Sequence, residues 1–106
     1  MTVDDIVRHR LRVEPERIAE LCRKWRIAEL SLFGSVLRDD FSDDSDVDLL
    51  VVFEPNDGWG LWDLMHCENE FAALFGRKVD LIEKKALENP FRRYEILRTS
   101  QLLYAA

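Results

Sequence analysis

Two aspartates, Asp46 and Asp48, open the apolar run Asp46-Val47-Asp48-Leu49-Leu50-Val51-Val52-Phe53. In a strand, residues two apart share a face, with Cα atoms roughly 6.5–7 Å apart. These carboxylates therefore project side by side while Val47 turns into the core. Such neighbours repel, and a divalent cation removes the conflict. Mg²⁺ takes hard oxygen ligands at about 2.0–2.1 Å and completes its octahedron with phosphate oxygens and water. A phosphate site is available just upstream at Gly34-Ser35. There a glycine lets an anion approach the backbone, the following N–H groups attract it, and a serine hydroxyl adds a donor. Asp80 is a third acid, in the segment Lys78–Glu83, where it alternates with Val79 and Leu81. If it shares the face of Asp46 and Asp48, it can ligate a metal ion or take a proton from an attacking hydroxyl. A phosphate cradle, a metal platform and a base are the parts of in-line displacement at phosphorus. Taken alone, each part also has a plain structural reading: an acidic strand start, a serine-capped turn, a polar residue on an exposed face.

The elements that must position these residues are legible as periodicities. Thr2 and Asp5 read as a helix cap opening an amphipathic stretch to about Leu11. Pro15 stands at a first helical position, with Ile18, Ala19, Leu21, Cys22 and Trp25 at helical spacing. Ala28, Leu30 and Leu32 alternate with Glu29 and Ser31 as a half-buried strand, which breaks at Gly34-Ser35 into a short helix, Val36 to Arg38. An aspartate-rich loop leads to the strand at 46–53, ended by Pro55-Asn56-Asp57-Gly58. Leu61, Leu64, Met65, Ala72 and Phe75 form a helical stripe capped by Gly76. After the strand at 78–83, Asn89-Pro90 opens a last helix that carries Ile96, Leu97, Leu103 and Tyr104 on one side. The order is ααβαβαβα, an α/β (α+β) fold with a small mixed sheet flanked by helices. The long link between the second and third strands predicts a parallel crossover; the first two strands could pair either way.

The 106 residues fit one domain, 1–106, with an ordinary 47% hydrophobic content. With 21 acidic against 15 basic residues and a net charge of −6, the surface repels a long phosphate backbone. A basic protein partner, or a small nucleotide carried with Mg²⁺, suits it better. Cys22 and Cys67 have no metal-ligand spacing and read as free thiols of a reducing compartment. MTVDDIVRHR has no apolar leader and no stretch reaches membrane length, so a cytoplasmic location is expected.

The pattern Gly34-Ser35-x-x-Arg38 … Ser45-Asp46-x-Asp48-Leu49 resembles the signature of the polymerase-beta nucleotidyltransferase superfamily, most closely its minimal (MNT) branch in bacteria and archaea. The similarity continues through Val79-Asp80-Leu81-Ile82 and a closing Asn89-Pro90 … Arg92-Arg93 … Glu95-Ile96-Leu97 … Leu103-Tyr104 helix. It implies a palm-like fold, two Mg²⁺ ions held by Asp46, Asp48 and Asp80, and contact of Gly34 and Ser35 with the phosphates of ATP. It also implies an antitoxin paired with a HEPN-domain ribonuclease toxin, transferring AMP from ATP to a tyrosine of the toxin. The sequence departs from the family at Asp39, where glycine usually follows the motif arginine. Larger members carry a domain that grips the acceptor; this length leaves no room for one, so the acceptor is expected on a second protein or a second copy. The contrasting reading is a binding module that neutralises its partner by occlusion, with a vestigial nucleotide site.

Several residues keep two readings. Arg38 could reach a triphosphate oxygen or tie down the acidic loop. Trp59 and Trp62 could stack on a base or pack against the protein. Phe91, Arg92, Arg93 and Tyr94 could face a partner or simply form an amphipathic helix. His9 and His66 read as solvated helix residues.

Overall fold

In the computed structural model, which describes Met1–Ala106, the Thr2 capping box opens the first helix, α1 (Val3–Asp5). It continues as a π-helical turn over Ile6–Arg10. Helix α2 (Pro15–Lys24) precedes strand β1 (Ile27–Phe33), and a 3₁₀ turn (Gly34–Leu37) follows. After the aspartate-rich loop come β2 (Val47–Phe53), α3 (Leu61–Phe75), β3 (Val79–Glu83), a 3₁₀ turn (Lys84–Ala86), α4 (Pro90–Thr99) and β4 (Gln101–Ala105). Gly76 closes α3 in the left-handed conformation (φ 67°) that its place in the sequence predicts. No helix is long and apolar enough to cross a membrane.

The four strands form one sheet in the order β3-β2-β1-β4. β2 and β3 are parallel, as the crossover through α3 requires, and β1 is antiparallel to both β2 and β4. Strand alternation gives the sheet two unlike faces. Leu30, Leu32, Val47, Leu49, Val51, Val79 and Leu81 point to one side and pack with Ile6, Val7, Ile18, Cys22, Cys67 and Phe71 from the helices. Burial there pushes both thiols up to about 12, so Cys22 and Cys67 are inert core residues rather than a disulfide. A smaller cluster of Phe33, Leu50, Leu87 and Ile96 fixes α4 to the opposite side.

β4 corrects the sequence reading. Leu103 and Tyr104 do not continue the last helix; α4 stops at Thr99, and 101–105 pair with β1. The Asn89 side chain caps α4 at its start through the amides of Phe91 and Arg92. Trp59 is packed edge-on against Trp25 (5.2 Å) and donates to the carbonyl of Trp25 at 2.7 Å, which removes it from base stacking. Trp62 stays 74% exposed.

Ile96 is the buried anchor that holds α4 on the sheet. Ile96→Ala is expected to cost about 2–4 kcal/mol, because a helix pinned at both ends collapses poorly into the cavity. The urea midpoint should fall with an unchanged denaturant slope. An unmoved midpoint would show that α4 is held elsewhere.

Candidate active site

The polar face of the sheet is organised in rows. Phe33, Asp48 and Asp80 are direct neighbours across β1, β2 and β3. One step further along lie Ser31, Leu50 and Ile82. Asp46 precedes β2 by one residue and Val47 donates to the carbonyl of Lys78, which ties the strand start to the approach of β3. The parallel register thus puts Asp80 beside Asp48, on the face that the sequence alternation assigns to it.

Gly34 follows Phe33 and adopts φ 77°, a conformation that side chains resist. A Cβ there would also collide with Oδ2 of Asp48. Glycine is therefore required twice: by its own backbone and by the carboxylate lying against it. The helix expected at Val36 to Arg38 is instead one 3₁₀ turn starting at Gly34. A four-residue turn lacks the dipole of a long helix, so an anion here would be met only by a local group of amides. The Ser35 hydroxyl donates weakly to the carbonyl of Asp46 at 3.4 Å, a bond long enough to exchange for a phosphate oxygen.

Burial raises the carboxyl of Asp48 above the ordinary aspartate range, and the charges of Asp80 and then Asp46 add to the rise. Arg38 and Arg92 pull the other way. Phe33 alongside and Leu50 behind supply the apolar surroundings. Asp46 is the outer member, 3.9 Å from the exposed ammonium of Lys78. Asp80 is exposed.

No three acidic, imidazole or thiol side chains are placed to hold a metal ion together. The donor set nevertheless suits Mg²⁺, which binds through one or two carboxylates and takes its remaining ligands from phosphates and water. Asp46 and Asp48 are hard oxygen donors from one strand edge, and the space that a Cβ at Gly34 would fill is kept open beside Asp48. Asp80 has the register to add a ligand or to receive a proton. Both roles remain compatible with its place.

Two arginines act on the site. Arg38 lies 3.3 Å from Asp40, the loop-tying role, and its charge also acts on Asp48. Arg92 has no carboxylate partner within ion-pair distance, and the sequence allows it to be either a partner-facing residue or part of a plain amphipathic helix. Its signal was its position four residues before the buried Ile96, which puts both on one side of α4. Arg93 instead donates to the carbonyl of Lys84, while Phe91 and Tyr94 are exposed. Asp39, the departure from the family pattern, points to solvent with its carboxylate 3.8 Å from Arg10. A cleft of about 620 Å³ opens beside Gly34 and Arg38, walled by Phe33, Leu37, Ile96 and Thr99. His9 and His66 stand exposed and away from it.

Sequence and fold are similar to those of known nucleotidyltransferases. A family model described as "Nucleotidyltransferase domain" matches residues 16–103. Protein adenylyltransferase MntA of Thermococcus cleftensis is 37% identical over 70 residues, 66% of this chain and 69% of the relative. A solved structure provisionally described as a minimal nucleotidyltransferase superposes with a TM-score of 0.71 at 34% identity, covering 87% of this chain and 91% of the other. A complex of a tri-AMPylated HEPN toxin from Shewanella oneidensis with an MNT antitoxin gives a TM-score of 0.65 at 15% identity, covering 91% of this chain and 73% of the other. That last likeness is one of fold.

The raised carboxyl of Asp48 has a testable consequence. Its folded-state pKa lies above the ordinary value of 3.8, so ionising it costs stability. That cost is complete above the raised pKa and disappears as pH falls through it toward the unfolded value. Asp48→Asn should therefore raise the melting temperature of the metal-free protein by a few degrees at pH 7, with a smaller gain at pH 4. Thermal scans at the two pH values check this; an equal or opposite effect at pH 7 would mean that Asp48 is not held against its charge.

Proposed function

The chain belongs to the nucleotidyltransferase domain family, and from that premise we propose that it is a Mg²⁺-dependent enzyme that transfers AMP from ATP to a hydroxyl, a tyrosine, of a partner protein. The partner in this reading is a HEPN-type toxin, and the chain is its antitoxin. The observation that carries the chemistry is the row Gly34, Asp48, Asp80: an open backbone, a carboxylate pressed against it and a second carboxylate in register. The relative named as a protein adenylyltransferase and the AMPylated toxin found with a fold neighbour support AMP as the group moved and a protein as its acceptor.

In this mechanism Asp46 and Asp48 would hold Mg²⁺, and Asp80 could add a further ligand for a second ion. When bound, the metal neutralises the triphosphate and polarises the α-phosphoryl group. The amides at Gly34 and the Ser35 hydroxyl hold the phosphate tail, and Arg38 flanks them. Asp80, beside Asp48, receives the proton of the acceptor hydroxyl. The acceptor oxygen attacks the α-phosphorus, a new P–O bond forms in line as the bond to the β-phosphate oxygen breaks, and pyrophosphate leaves. The apolar wall of Phe33 and Ile96 lowers the polarity on one side of the site.

The occlusion reading predicts inhibition without chemistry. One observation weighs against it: Asp48 is kept partly buried between two other acids, an arrangement that costs stability and gives nothing to a passive binder. The double variant Asp46→Asn with Asp48→Asn should lose transfer of labelled AMP to a co-purified partner by about 10³-fold or more, since several kcal/mol of metal-borne stabilisation is removed. Transfer that persists at the wild-type rate would refute the assignment. A wild-type protein that suppresses its partner without ever labelling it would establish occlusion.

A further inference from the structure

The loop 38–46 joins the phosphate cradle to the metal-binding carboxylates, and its sequence should make it swell. Asp39, Asp40, Asp43 and Asp44 are all exposed there, and like charges on a short loop repel. The structure shows what opposes them. Phe41 lies between two guanidinium groups from distant parts of the chain: Arg77 with its Cζ 4.4 Å from the ring centroid and Arg10 with its Cζ 5.9 Å away. Both distances are within cation–π range. The same two arginines also hold the backbone on either side of the ring. Arg10 donates to the carbonyls of Val36 at 2.8 Å and Arg38 at 2.5 Å. Arg77 donates to the carbonyls of Ser42 and Ser45, each at 2.9 Å.

One arginine is thus bonded to the cradle side of the loop and the other to the carboxylate side, and Phe41 joins them. Arg10 comes from the turn after α1, and Arg77 from the turn that delivers β3 and Asp80. Both side chains are part-buried rather than splayed into solvent. The charge of Arg10 also faces Asp39 at 3.8 Å, while the ion pair from Arg12 to Asp43 is looser at 4.0 Å. The carboxylates thus remain outside, and the loop is held from within by its backbone carbonyls and one aromatic ring.

We propose that the Arg10–Phe41–Arg77 clamp is a positioning device that fixes the separation of the Gly34-Ser35 cradle from Asp46 and Asp48, so that Mg²⁺ and the triphosphate bind cooperatively. This rests on the metal and nucleotide roles proposed above. None of the three residues touches the reacting atoms. The clamp acts by holding both half-sites at one spacing before either ligand arrives. A ligand that has to order the loop itself would lose that part of its affinity. A loop tied only for stability would affect folding and leave the coupling between the two ligands unchanged.

The experiment measures the affinity of the intact protein for ATP by calorimetry, with and without Mg²⁺, for the wild type, Phe41→Leu, Phe41→Trp and Arg77→Gln. In the wild type, Mg²⁺ is expected to tighten ATP binding by about tenfold or more. Phe41→Leu keeps the apolar bulk but loses the π face, and should bring that factor below about threefold while leaving Mg²⁺-free affinity within about twofold. Phe41→Trp preserves the π face and should keep most of the coupling. If Phe41→Leu does not fold, Arg77→Gln, a change near the surface, carries the same expectation. Wild-type coupling that survives intact in Phe41→Leu and Arg77→Gln overturns the clamp alone. A wild type without any Mg²⁺ effect on ATP binding overturns it together with the metal reading.

Discussion

The arrangement depends on carboxylates that the backbone forces together. Parallel pairing of β2 with β3 leaves Asp48 and Asp80 no choice but to be neighbours, because register fixes both position and face. Antiparallel pairing of β1 with β2 then brings Phe33 to the other side of Asp48, and the chain must turn at Gly34 directly against it. Two like charges beside an apolar ring are unfavourable in a protein without a counter-ion. They persist because the hydrogen-bonded ladder and the core on the opposite face are much stronger than the local repulsion.

That core explains why the register does not slip. Val47, Leu49 and Val51 on β2 face Leu30 and Leu32 across the ladder, and all are nearly inaccessible. A one-residue shift would exchange this row for Asp48, Leu50 and Val52, burying a carboxylate under α3 and exposing three large apolar side chains. The hydrophobic alternation that makes β2 a strand is therefore also what presents Asp48 on the opposite face. α4 makes that face asymmetric: Ile96 and Leu87 cover Phe33 and Leu50 but leave Asp80 and Asp46 open to solvent. The result is a half-dry face, partly desolvated where Asp48 sits and open to solvent at Asp46 and Asp80.

What could be read in the sequence is what is encoded locally. The capping box of Thr2, the strand alternation of 46–53, the α3 stripe with its Gly76 stop and the crossover linking β2 to β3 are periodicities and caps, and each has its counterpart in the structure. The juxtaposition of Asp48 with Asp80 followed from two of them. β4 was hidden because Leu103 and Tyr104 also fit the stripe of the preceding helix; the free edge of β1, which decides the matter, is a tertiary fact. The short helix after Gly34 was read as starting and ending too late, since the turn begins at Gly34 itself and Arg38 leaves it to reach Asp40. Arg10 and Arg77 could not be recognised at all. They lie far apart in the chain, and only the folded loop brings Phe41 between them.

Charge also decides how a substrate can enter. The chain carries −6 overall, and the polar face of the sheet presents three carboxylates near the unpaired Arg92 and the Asp40-bound Arg38. A bare triphosphate approaching Asp48 meets net repulsion in surroundings of lowered dielectric, where that repulsion is strong. A triphosphate that arrives with its magnesium has most of its charge cancelled, and the cation meets the carboxylates that otherwise repel one another. The same field rejects a long nucleic acid, whose many phosphates cannot all be neutralised at one small site. It is indifferent to a neutral hydroxyl on a protein. In the proposed reaction the acidic surroundings that look hostile to nucleotide chemistry would act as a filter, admitting nucleotide and metal as a unit and leaving the acceptor to be chosen by shape.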